Sequence, residues 1–305
     1  MVWRSVVISQ PARLKRDHFS LRIEQREVAH VPFEDIAVIV LNHPEIVLTH
    51  PVLSACAEYG ISLFSTGDNH QPNGVFLPWL QHSRATRLLR LQMRLGRPLV
   101  KQLWARIIRR KIENQQHCLQ LLDIDDAGNL AGLARRLRSG DPENLEGQAA
   151  SFYFPRLFGK GFYRDIPNGF NAALNYGYAV LRGAIARGLV AHGLLPSLGI
   201  FHGSEQNAYN LADDLIEPFR PLVDLHVANT SRSPLRADPK LTPEDKARLV
   251  SLLHVDIGMP RGTMSVLSAV EQTVESLVRA YEQNDAALLE LPELIGLVPH
   301  RLREY

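Results

Sequence analysis

Residues 75–95, VFLPWLQHSRATRLLRLQMRL, are where the chain changes texture. Val75–Leu77 is a short run of strand-forming residues behind the turn signal Pro72-Asn73-Gly74, whereas Leu88, Leu91 and Leu95 recur at helical spacing. A period near two before Pro78 and near three to four after it predicts strands on the N-terminal side and helices on the other. Residues 78–84 hold too little polar sequence for a free tether, so the boundary reads as a hinge.

Towards the N-terminus the strand reading extends through Val6–Ser9, the alternation of Phe19, Leu21 and Ile23, Val28–Val31, the apolar run Ile36–Leu41 and Ile61–Ser65. Pro32, Asn42-His43-Pro44 and Gly67-Asp68-Asn69 punctuate them, and a short helix is expected over Pro51–Tyr59. Towards the C-terminus, helices are expected over Leu99–Leu122 and Asn129–Leu137, and one opened by Asp141 as N-cap with Pro142 in its first position. Closing helices are expected over Pro243–His254 and Thr263–Asn284, with an exposed loop at Ser231–Lys240. The expected fold is a two-domain α+β chain: a small β-rich domain over residues 1–80 and a larger all-α domain over 81–305.

At 305 residues, 45% hydrophobic and 22% charged, the composition is that of a folded globular chain rather than a disordered or fibrous one. No apolar run approaches the roughly 20 residues that cross a bilayer, and the N-terminus lacks the order of a signal peptide, so a cytoplasmic protein is expected. Cys56 and Cys118 lie far apart in apolar settings and read as buried free thiols. The net charge of +2 is uninformative, but residues 82–140 are strongly basic. Within them Arg84, Arg87, Arg90 and Arg94 fall on or near one helical face that could track a phosphate backbone or simply be solvated.

The run GIFHGSEQNAYNLADDLIEPFRPLVD, residues 199–224, places His202, Asp213, Asp214, Glu217 and Arg220 in an apolar segment. Buried carboxylates need a cation, so this is a candidate site for a hard divalent ion. Asp214, Glu217 and Arg220 at steps of three would form a stripe on roughly one helix face. The alternative is structural, with the aspartates at a helix terminus and Glu217–Arg220 as an i,i+3 pair. Glu146, followed by the small residues Gly147, Ala149 and Ala150, is a second candidate; alone, a glutamate early in a helix is ordinary dipole chemistry.

Four motifs in order, DPENLEGQAASFYFPRLFG (141–159), NAALNYGYAVL (171–181), LGIFHG (198–203) and NLADDLIEPFRPLVD (210–224), closely resemble the CRISPR-associated integrase of spacer acquisition, the family numbered first among the Cas proteins. The style is like that of type II systems. The resemblance covers the whole chain, since that family also has a small N-terminal β domain before a larger helical one.

The resemblance implies a metal-dependent DNA integrase and endonuclease that inserts short DNA fragments into a CRISPR array by 3′-hydroxyl attack on a phosphodiester. It implies Mg²⁺ or Mn²⁺ on Glu146, His202 and Glu217, with Asp214 and Arg220 in support and Asn144 and Tyr178 in matching motifs. Lys160 and Arg164 are further DNA-contact candidates beside the four arginines. Tyr163, Tyr176 and Tyr178 could stack on a base or sit in the core, and His192 and His226 flank the site motifs. The partners implied are double-stranded DNA (the incoming prespacer fragment and the CRISPR repeat and leader), a second copy of the chain, and a small ferredoxin-like Cas protein, with dimerisation and docking on residues 1–80. Two alternatives stay open: a stand-alone structure-selective DNA nuclease, and a non-catalytic DNA-binding scaffold.

Overall fold

A computed structural model describes residues 4–67, 72–79, 82–124, 128–230 and 240–300. Most of the loop expected at 231–240 and residues 68–69 of the expected turn lie outside them.

The N-terminal strands are β1 (Arg4–Ile8), β2 (Ala12–Asp17), β3 (Ser20–Glu24), β4 (Val28–Pro32), β5 (Ile36–Leu41) and β6 (Ile46–Leu48), followed by α1 (His50–Glu58), β7 (Ser62–Thr66) and β8 (Pro72–Phe76). They form two four-stranded sheets, ordered β1-β5-β7-β8 and β4-β3-β2-β6. The run IAVIVL is apolar throughout because β5 is an inner strand, parallel to both β1 and β7 and covered on both faces. Ile39 and Leu41 pack with the small N-terminal core around Leu14, Phe33 and Val52, while Val38 and Val40 join the helical core. Two strands escaped the sequence reading. In β2, ARLKRD, polar residues are paired across the sheet, as where Lys15 Nζ stands 2.9 Å from Glu24 Oε1, and β6 has only three residues.

Helices follow: α2 (Ala85–Gln92), α3 (Arg97–Leu121), α4 (Gly128–Arg136), α5 (Leu145–Phe158), α6 (Gly169–Ala191), α7 (Asn210–Leu215), α8 (Arg220–Thr230) and α9 (Pro243–Ser251). The chain then forms an antiparallel hairpin, β9 (Asp256–Met259) and β10 (Gly262–Ser265), before α10 (Val266–Gln283). The architecture is mixed α+β, strand-rich first and helical after, and the helical part additionally carries this hairpin where Thr263–Ser265 had been expected to open a helix.

Two long helices organise the larger core. Helix α3 packs on α4, α5 and α8 and on a single 3₁₀ turn, Glu217–Phe219, between α7 and α8. Helix α6 packs on α8, α9, α10 and the first sheet, and its glycines allow the close approach. A Cβ on Gly183 would lie 1.8 Å from Phe64 Cζ, and one on Gly177 would lie 2.5 Å from Val223 Cγ1. Polar ties reinforce the sheet-to-helix seam: Arg187 Nε donates to Gly60 O at 2.6 Å, and Lys246 Nζ to Asn42 Oδ1 at 3.2 Å. Cys56 and Cys118 are buried free thiols.

Candidate metal centre

Glu146 stands in the first turn of α5, but that helix does not start at Pro142. Asp141 and Asn144 both take left-handed backbone (φ 48° and 50°), and the helix begins at Leu145 with Asn144 as its N-cap. Asp141 still caps from a distance: its carboxylate accepts from Leu145 N at 2.8 Å and Glu146 N at 3.0 Å, while Asn144 Oδ1 accepts from Gly147 N at 3.3 Å. Three of the four free N–H groups of the helix start are thereby satisfied, which holds Glu146 in place. Asn144 is thus a structural cap.

His202 is set by Asp214. The fully buried Asp214 carboxylate accepts from the N–H groups of Ile200, Phe201 (3.1 Å) and His202 (3.1 Å), and its Oδ1 lies 2.8 Å from His202 Nδ1. The carboxylate accepts from three backbone N–H groups as well, so Nδ1 is the ring nitrogen that donates to it and Nε2 is left free of that bond. The bond to Asp214 holds the imidazole above its ordinary pKa against the opposing effect of partial burial, and Asp214, Glu217 and Asp213 add to the rise. Gly199 is required here: a Cβ would sit 2.2 Å from His202 O and 2.9 Å from Asp214 Oδ2. Phe201 stacks on Trp104 with ring centroids 4.2 Å apart. Asp213, in the first turn of α7, is half-buried and held by Asn207 Nδ2 (2.7 Å) and Arg182 Nε (3.1 Å).

Glu217 opens the 3₁₀ turn, so the expected Asp214–Glu217–Arg220 stripe is split: Asp214 reaches the 200–202 turn, while Glu217 and Arg220 face one another. Arg220 Nε donates to Glu217 Oε1 at 2.9 Å. Asn114, fully buried on α3, fixes the turn by donating to Pro218 O at 2.7 Å and Pro292 O at 3.0 Å. Arg220 is in turn steadied by Tyr178, whose ring centroid is 4.5 Å from the guanidinium carbon. The Tyr178 hydroxyl donates to Asp224, which also accepts from Tyr153 Oη at 3.1 Å. Burial pushes the Asp224 carboxyl up to about 6 although both tyrosines and the nearby arginines favour its ionised form.

The residue that joins these pieces is Lys111. Its Nζ lies 2.5 Å from Glu146 Oε1 and 2.6 Å from Glu217 Oε2. Burial raises the Glu217 pKa, but Lys111 and Arg220 outweigh it and the carboxyl ends below the usual range. The contact of Glu217 Oε2 with a basic group is the 2.6 Å approach of the Lys111 ammonium. Of the three expected ligands, Glu146 and Glu217 are brought together through Lys111, and His202 lies near enough to Glu217 to feel its charge. Among the described residues no three His, Cys, Asp or Glu side chains stand close enough to share one ion. The donor types, two carboxylates and one imidazole with its second nitrogen anchored, are those a hard divalent cation takes, while the space between the two carboxylates is held by the Lys111 ammonium.

The basic candidates stand elsewhere. Arg84, Arg87, Arg90 and Arg94 are exposed on and beside α2, where Arg87 pairs with Glu282 at 2.6 Å. Lys160 is exposed. Arg164 is engaged inside the protein, donating to Asn171 and to Asn175 Oδ1 (2.8 Å) and lying over the Tyr178 ring. Tyr176 and Tyr178 are core residues and Tyr163 is 60% exposed. His192 bonds Gly188 O and stands 3.4 Å from Glu271 Oε2, away from the Glu146–Glu217 pair, and the pKa of His226 is lowered by burial. Lys111 was visible in the sequence only as one of many basic residues. The available signal was its place three and four residues after Ile108 and Ile107, on the apolar face of α3.

A profile of the family described as "CRISPR associated protein Cas1" matches residues 5–238. The chain is 43% identical to the CRISPR-associated endonuclease Cas1 of Neisseria meningitidis serogroup C (strain 8013) over 304 residues, 97% of this chain and 98% of that one. Among solved structures it resembles a casposase bound to integration product (TM-score 0.77, 18% identity, 93% and 92% coverage). It also resembles a chain of a Cas6-RT-Cas1–Cas2 complex (TM-score 0.75, 16% identity), covering 96% of this chain but 36% of that one. At such identities the structural likeness is one of fold.

Proposed function

This chain belongs to the Cas1 family of CRISPR-associated proteins, and on that premise we propose that it is a metal-dependent integrase and endonuclease of CRISPR adaptation. In this reading it inserts short foreign DNA fragments into a CRISPR array by attack of a 3′-hydroxyl on a phosphodiester. The observation that carries the metal reading is the convergence of Glu146 and Glu217, through one oxygen each, on a single cation. Glu146, Glu217 and His202 would hold Mg²⁺ or Mn²⁺. A bound ion supplies Lewis acidity to the scissile phosphate.

The chain's own residues do the rest. Asp214 keeps His202 in one tautomer and orientation, and Asn114 fixes the turn bearing Glu217. Arg220, backed by Tyr178, balances Glu217 and leaves positive charge beside a phosphate-binding site. Exposed Arg84, Arg90, Arg94 and Lys160 offer phosphate contacts.

Double-stranded DNA, a second copy of the chain and a small ferredoxin-like Cas protein belong to the same proposal. The shared fold with a chain of a Cas1–Cas2 complex and with an integration-product complex supports it. Docking and dimerisation on residues 1–80, catalysis on 81–305, a type II-like setting and a cytoplasmic location are parts of it; among the described residues no helix is long and apolar enough to cross a membrane.

The Lys111 and Arg220 pairing gives one observation for the scaffold reading, since the acidic cluster is already neutralised by basic side chains. Strand-joining assays with prespacer-like duplex, target DNA, partner and Mn²⁺ separate the readings. Glu146→Ala, His202→Ala and Glu217→Ala each abolish joining if the site is catalytic. Joining intact in all three would overturn the site, and cleavage of branched DNA without joining would favour the stand-alone nuclease.

A further inference from the structure

We propose that Lys111 is a resident counter-cation that occupies the cation position between Glu146 and Glu217 and that a divalent ion must displace in order to bind. This inference rests on the metal reading of the site. An ammonium with its side chain only 12% exposed sits 2.5 Å and 2.6 Å from one oxygen of each carboxylate. Glu217, with a side chain 6% exposed, faces Glu146 across that ammonium, and a buried carboxylate so placed calls for a cation beside it.

Charge accounting favours exchange over addition. Two carboxylates, Glu146 and Glu217, are matched by one ammonium and one guanidinium, Lys111 and Arg220, so the cluster is neutral. A divalent ion added to it would leave two uncompensated positive charges in a largely buried site. Exchange of the ammonium for the ion leaves one, suited to a phosphate.

Geometry marks which partner can leave. Arg220 holds Glu217 Oε1 through an aligned hydrogen bond of 2.9 Å. Lys111 donates to Glu146 Oε1 at 2.5 Å and meets Glu217 Oε2 at 2.6 Å, but it lies on the more open side of the site and its four-carbon stem has rotamers by which to withdraw, whereas Arg220 is also packed on the Tyr178 ring. The side-chain opening is on the Glu146 side, where exposure is 27%. Lys111 thus holds the two carboxylates adjacent, and the ion enters a preformed pair.

The test is Mn²⁺ titration of the full chain, without DNA, by calorimetry and by loss of the free Mn²⁺ resonance signal, at a pH near 8. Lys111→Met is expected to bind Mn²⁺ roughly tenfold more tightly than the unaltered chain, to melt at a lower temperature without metal, and to recover more on metal addition. Lys111→Arg, which keeps a cation in place, is expected to bind no more tightly than the unaltered chain. Lys111→Gln carries the same expectation as the methionine variant should the latter fail to fold. Equal or weaker Mn²⁺ affinity in the neutral variants, with the unaltered chain binding, overturns the displacement inference alone. Absence of Mn²⁺ binding in every protein overturns the metal reading and this inference with it.

Discussion

His202 Nδ1 lies 2.8 Å from Asp214 Oδ1, and the same carboxylate gathers the three backbone N–H groups of residues 200–202. One buried side chain therefore sets both the turn and the ring. Asp214→Ala is expected to cost about 3 kcal/mol in urea unfolding, because it strands several buried donors. Asp214→Asn should cost less stability, yet lower Mn²⁺ affinity by roughly ten- to a hundredfold through loss of the fixed tautomer. Unchanged affinity in the asparagine variant would show that Asp214 serves the turn alone.

Asp224 makes stability depend on pH. Its carboxyl is pushed up to about 6 by burial, with Tyr153, Tyr178, Arg164 and Arg220 around it and Cys118 nearby, whereas an unfolded aspartate titrates near ~3.9. Between those values the native state binds more protons, so this contribution is full below about pH 4 and falls as pH rises towards 7, by roughly 3 kcal/mol in all. Asp224→Asn should remove that slope. Parallel pH profiles of the two proteins in urea denaturation would contradict it.

Gly183 is where the first sheet meets α6, with Phe64 filling the space a Cβ would take. Gly183→Ala should destabilise by about 1–3 kcal/mol through overpacking. Phe64→Leu in the same chain should return part of it, a coupling that a double-mutant cycle measures directly.

Divalent metal should stabilise the native chain. At a hundred times its Kd, Mn²⁺ is expected to add about 2.7 kcal/mol to unfolding free energy, reversed by chelator. The gain should vanish in Glu217→Ala, and a thermal melt insensitive to Mn²⁺ in the unaltered chain would argue against the site.

DNA affinity should fall steeply with salt if the α2 arginines touch phosphates. Arg90→Ala and Arg94→Ala should each lower the slope of log K against log salt by about 0.9. Arg87→Ala should lower it less, because Arg87 is paired with Glu282. Identical slopes in all three would leave that face simply solvated.

The elements with strong periodicity were legible in the chain itself: Ile36–Leu41 is a strand to the residue, and α1, α3 and α4 lie within two residues of their expected ends. The failures each have a local cause. Strand β2 hides its apolar face among charges satisfied across the sheet, β6 is too short to show a period, and the 256–265 hairpin interrupts what reads as helix. The start of α5 was misplaced because two left-handed residues, Asp141 and Asn144, delay it, a backbone choice the Asp-Pro signal does not encode.

Taken alone, the sequence determined where carboxylates, imidazole and arginines lie along the chain, and through four ordered motifs it pointed to their family. Only the tertiary structure decided which charges meet. Lys111 reaches Glu146 and Glu217 because α3 crosses both the start of α5 and the 217–219 turn, while Asp214 turns away from the glutamates to hold His202. Periodicity reports which face of one element is buried; the pairing of buried charges depends on how separate elements cross, and no local pattern records that crossing.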